Sequence, residues 1–78
     1  MKEQDALMWI ATVFEHPVEK IKAETPREEI PAWDSLGVLT LMAGLDEEFG
    51  IILTEEEVAE LVKVEDILKV LRDRGSFS

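Results

Sequence analysis

The stretch IPAWDSLGVLTLMAGLDEEFG, residues 30–50, decides how this chain is read. It begins as a loop, with Pro31-Ala32-Trp33, and passes through Asp34-Ser35. It then runs without a breaker to Gly50, a residue suited to the position just past a helix end. Asp and Ser are both good N-cap residues, and a helix needs only one. Neither completes a capping box, because the residues three further on are Gly37 and Val38. A helix therefore starts at Asp34 or Ser35 and stops at Gly50. Along it Leu39, Met42, Leu45 and Phe49 hold one line, and Leu36, Leu41 and Ala43 widen the apolar arc. Gly37, Thr40, Gly44 and Glu47 form the remaining outward stripe. If Asp34 caps, Ser35 falls in the first turn with a hydroxyl free to face solvent.

Other helices flank this one. Ala6, Leu7, Ile10, Val13 and Phe14 recur at spacings of three and four, which predicts a helix from about Glu3 to Glu15. His16-Pro17 ends it, since the residue before proline disfavours the helical region. Residues 17–34 read as a long connection, with Val18, Ile21 and Ile30 spaced to pin it to the core. Thr54 and Glu57 fit a capping box and open a short helix from Glu55 to Leu61. A last helix covers about Glu65 to Asp73, with Val64, Ile67, Leu68 and Leu71 inward. Acids begin it, and Lys69, Arg72 and Arg74 gather late, before Gly75, as the helix dipole favours. The expected fold is all-α, a bundle of three longer helices and one short one, in a single domain over residues 1–78.

The chain has 78 residues, no cysteine and one histidine, His16, so neither disulfides nor a metal cluster can staple a core this small. No secretion signal or membrane segment is apparent, and a cytoplasmic location is expected. Net charge is -10, and its placement is informative. Between Glu28 and Val62 lie ten acids and no Lys or Arg, while the remainder balances eight acids with eight bases. Such a field repels nucleic acid and anionic lipid and steers basic protein surfaces inward.

Enzymatic motifs fail on spacing. A nucleophile elbow needs glycine two residues before and after its serine, and Trp33 occupies the first of those places. A calcium loop with Gly50 at its sixth position would put Leu45 first and Phe49 fifth, and neither can ligate through its side chain. No catalytic constellation or metal site is expected.

The run WDSLGVLTLMAGLDEEFGI, followed by an acidic third helix and the closing VKVEDILKVL, resembles the acyl carrier protein family over nearly the whole chain. The resemblance implies a four-helix bundle of the acyl-carrier type that is not itself an enzyme. It implies that a phosphopantetheinyl transferase would move 4'-phosphopantetheine from coenzyme A onto Ser35, within the Asp34-Ser35-Leu36 triplet. The arm would carry acyl or aminoacyl groups as thioesters. Partner docking is implied at Leu36, Asp46, Glu47, Glu55 and Glu56, with no nucleic acid and no membrane insertion, and the chain is expected to be a monomer. Those partners would be an acyl- or aminoacyl-activating ligase and acyl-processing or transferring enzymes with basic docking surfaces. Val38, Leu39, Leu45, Phe49, Leu61, Val64, Ile67 and Leu71 would line the interior.

The chain departs from fatty-acid-synthesis carriers just after the serine, where Gly37 and Thr40 replace acids. That departure, with Trp33, is similar to specialised stand-alone bacterial carriers of lipid, polyketide or other metabolite pathways. The alternative is an unmodified acidic interaction module of the same fold.

Overall fold

The computed structural model describes residues 2–74, and the expected stop at Gly75 lies outside them. Four α-helices follow in order: α1 (Glu3–Val13), α2 (Ser35–Phe49), α3 (Glu55–Ala59) and α4 (Val64–Arg74). The described residues contain no strand, only an isolated antiparallel bridge between Pro26 and Lys63. This is the all-α bundle of three longer helices and one short one.

The helix ends follow their local chemistry. Asp5 accepts a hydrogen bond from the Lys2 backbone N–H at the start of α1. At the other end Glu15 adopts a left-handed conformation, φ 49°, so that its N–H reaches Thr12 O and that of His16 reaches Ala11 O. Pro17 then prevents any continuation. Helix α2 closes on Gly50 at φ 67°, with its N–H on Asp46 O at 3.0 Å. The Thr54–Glu57 capping box forms reciprocally, at 3.0 and 3.1 Å, and opens α3, which ends at Ala59 rather than Leu61.

The connection over residues 17–34 is ordered by two short 3-10 turns, Val18–Lys20 and Arg27–Glu29. Ile21 and Ile30 are buried as expected, together with Thr25 and Trp33. Val18 is not a pin. It sits on the first 3-10 turn with its side chain outward, 44% exposed. The Thr25 hydroxyl accepts from the Lys22 N–H and donates to Lys20 O. Val64 N–H donates to Thr25 O at 2.9 Å, and Glu65 N–H to Ala23 O at 2.8 Å. The loop is thereby laced to the start of α4.

The core is built from Ala6, Ile10, Ala11 and Phe14 of α1 and its end, Leu41 and Leu45 of α2, and all four inward positions expected of α4. Helix α2 is rotated relative to the expectation. Gly37, Leu41 and Leu45 are its buried residues, while Leu39, assigned to the interior, is 62% exposed. Leu36 and Ala43 also face solvent. The two glycines assigned to the outward stripe turn inward. A Cβ on Gly37 would lie 1.8 Å from the Ala32 carbonyl oxygen, and one on Gly44 would lie 2.8 Å from the Trp9 ring. The buried face of α2 combines Leu41 and Leu45, which fill the core, with Gly37 and Gly44, at which neighbouring atoms come too close for a side chain.

Candidate functional site: the threshold of helix α2

Three residues ahead of Ser35 are held from different sides. The Ala32 carbonyl abuts Gly37, and the Trp33 ring is buried and stacked on Phe14, centroids 5.0 Å apart and 16° from parallel. The Arg27 Nε–H donates to the Trp33 carbonyl at 3.2 Å. Asp34 then takes the cap, its Oδ1 accepting the Gly37 N–H at 2.9 Å.

This arrangement resolves the choice between the two candidate caps. Asp34 is the cap and Ser35 is the first helical residue, exposed to solvent. Among the described residues nothing bonds its hydroxyl. Of the first-turn amides, Gly37 N–H goes to Asp34, whereas those of Ser35 and Leu36 have no intrahelical acceptor. An accessible primary hydroxyl beside free amides, at the positive end of a 15-residue helix, suits an ester-linked anion.

Leu36 is 73% exposed and stands next to the serine. With Leu39, Thr40 and Ala43 it forms the outer face of the first three turns of α2. The expected face after the serine was neutral and small. It is neutral, but Gly37 does not belong to it and two leucines do. Asp46 and Glu47 lie exposed at the far end of α2, and Glu55 and Glu56 are exposed on α3. The five expected docking residues are therefore all at the surface. Leu39 was missed because its spacing fits the apolar line of the helix.

Glu57, in contrast, is committed to structure. Its carboxylate accepts the Thr54 N–H and also pairs with Arg74 at 2.7 Å. The Thr54 bond first, and the Arg74 charge second among the attractions, hold its pKa below the ordinary carboxylate range. The cleft nearest the serine, lined by Val13, Ala32, Asp34, Leu36, Gly37 and Thr40 among others, measures about 110 Å³. That is well below the roughly 300 Å³ at which ligand pockets begin, so this cleft offers no ready room for an acyl chain. Among the described residues no group of His, Cys, Asp and Glu is placed to hold a metal, and no helix is long and apolar enough to cross a membrane.

The described residues thus form a four-helix bundle with an exposed serine at the start of its second helix. Comparison with known proteins finds similarity to acyl carrier proteins. The acyl carrier protein of Rickettsia bellii strain RML369-C is 27% identical over 74 residues, covering 95% of this chain and 86% of that protein. The one from strain OSU 85-389 is also 27% identical, over 95% of this chain and 91% of its own length. The acyl carrier protein of Helicobacter acinonychis strain Sheeba is 40% identical over 40 residues, about half of each chain. No family model matches the chain. Over nearly its whole length the chain is similar to curated acyl carrier proteins.

Proposed function

We propose that this chain is an acyl or aminoacyl carrier, not an enzyme, and that Ser35 is its point of attachment for 4'-phosphopantetheine. The observation that carries the reading is the division of roles at the helix start. Asp34 satisfies the cap, so Ser35 is spared for another use and stands exposed in the first turn. Capping alone would be served by Asp, Asn or Thr, whereas a small accessible hydroxyl is what esterification requires.

In the attachment step the Ser35 oxygen forms a phosphodiester and gives up its proton to a base of the transferase. The phosphoanhydride bond of coenzyme A breaks, and the adenosine bisphosphate half departs. Magnesium bound with coenzyme A on the transferase would offset the charge of the phosphates. When bound, the arm would supply a terminal thiol, the group that this cysteine-free chain lacks for holding acyl groups as thioesters. The chain's own part is to present the serine on a rigid threshold and to place the phosphate against the amides of Ser35 and Leu36.

Leu36 next to the arm, and Asp46, Glu47, Glu55 and Glu56 further out, form the docking surface in this reading. An acidic surface steers basic partners to fast encounter with modest affinity, which suits a carrier that must leave each enzyme after visiting it. The partners would be a phosphopantetheinyl transferase, an acyl- or aminoacyl-activating ligase and the enzymes that process the cargo. The neutral face after the serine favours a specialised stand-alone carrier. We place it in the cytoplasm as a single-domain monomer.

The test is intact mass after incubation with coenzyme A, magnesium and a broad-specificity transferase, with Ser35→Ala as control. A gain of one phosphopantetheine in the parent alone is expected. No gain in a folded parent would reduce Ser35 to an ordinary first-turn residue.

A further inference from the structure

If Ser35 bears a phosphodiester, the new anion stands beside the Asp34 carboxylate, which already occupies the positive end of the helix. It also adds to a segment, residues 28–62, that holds ten acids and no Lys or Arg. Two adjacent anions repel, and the half charge of a helix end does not offset both. A nearby cation would offset that repulsion.

Arg27 and Lys63 border the acidic segment, and the Pro26–Lys63 bridge brings their neighbourhoods together. Lys63 already pairs with Glu65 at 3.5 Å. Arg27 is held differently. Its backbone N–H donates to Val62 O at 2.9 Å, and its half-buried side chain reaches the Trp33 carbonyl through Nε. That bond uses one of five N–H donors and neutralises no charge. Among the described residues the guanidinium makes no ion pair. Trp33 stands two residues before Ser35, with Cα atoms at most about 7.6 Å apart, so the bond to the Trp33 carbonyl fixes the guanidinium at the peptide that leads into Asp34 and Ser35.

Resting on the carrier reading, we propose that Arg27 is the cationic partner of the phosphate carried on Ser35, held ready by its bond to the Trp33 carbonyl. The same residue links the turn between α3 and α4, through Val62, to the threshold of α2. Guanidinium suits the task because one N–H anchors it while others stay free for an oxyanion.

The test is a thermodynamic cycle on urea unfolding of the unloaded and loaded forms of the parent, Arg27→Gln and Arg27→Lys. Glutamine keeps a donor for the Trp33 carbonyl but loses the charge, and lysine keeps the charge. Loading should raise the folded-to-unfolded ratio more in the parent than in Arg27→Gln, by about 1.4- to 5-fold, the range for an exposed ion pair. Arg27→Lys should retain the coupling, and about 1 M salt should suppress it. A clasp with only a structural role would weaken both forms of Arg27→Gln alike and leave no coupling, which overturns the proposal. Nitrogen-resolved NMR of the parent is a check independent of any variant. The Arg27 Nε–H resonance should move on loading, and an unmoved resonance also overturns it. A parent that takes up no phosphopantetheine fails at the earlier step and sinks the carrier reading itself.

Discussion

Asp34 and Ser35 are adjacent, small and polar, yet the backbone gives them separate tasks. Only the residue before the first helical position has the extended geometry that lets its side chain reach back to Gly37 N–H, and that residue is Asp34. Asp34→Ala should cost about 1 kcal/mol in urea unfolding. Ser35→Ala should stay within roughly 0.5 kcal/mol, as surface changes do. Glu15 and Gly37 are the other residues whose backbone setting matters. Glu15 is the non-glycine residue at positive φ among those described, so Glu15→Gly should stabilise the chain by about 0.5–1 kcal/mol. Gly37→Ala should have the opposite sign and larger size, because the methyl would meet the Ala32 carbonyl, which is backbone and cannot swing aside. It should also disturb loading, since Ala32 leads directly into the threshold. Thermal midpoints and loading rates of the two variants would check these expectations.

At the scale of elements, the rotation of α2 can be tested by paired deletions. Leu45→Ala removes a fully buried side chain and should cost 2–5 kcal/mol, roughly the range for core leucines. Leu39→Ala removes an exposed one and should change stability by less than about 0.5 kcal/mol. Equal losses would return Leu39 to the core. Helix α3 has only 5 residues and depends on its capping box. Because the pKa of Glu57 is lowered in the fold, its contribution is present above the unfolded carboxyl value and is lost as pH falls through the folded one. Glu57→Gln should therefore be less stable than the parent near neutrality and converge with it in acid, as urea midpoints against pH would show. The short helix and its cap were legible in Thr54 and Glu57, since a capping box is a local signal. The facing of α2 was not, since apolar residues cover much of its circumference and periodicity then has no single answer.

For the whole molecule the dominant quantity is the charge of -10 and its confinement to the segment containing α2 and α3. Self-repulsion within that segment opposes folding, so added salt should raise the unfolding midpoint before any partner is present. The same salt should slow loading by a transferase, through the encounter rate rather than turnover. A loading rate indifferent to salt would remove electrostatic steering from the account and leave the Leu36–Leu39 face as the docking element.

What the sequence determined by itself is everything governed by neighbours along the chain. The helix boundaries at Pro17, Gly50 and Thr54, the inward line of α4 and the acidic segment follow from spacing, capping and backbone preference; the start of α2 is narrowed to Asp34 or Ser35, and the role of Ser35 rests on the family resemblance. Tertiary structure alone decided which side of α2 is buried, that Gly37 and Gly44 are points of contact, and that Arg27 reaches Trp33. Those facts depend on how closely two surfaces can approach. Closeness of approach belongs to pairs of elements distant in sequence, and no local pattern records it.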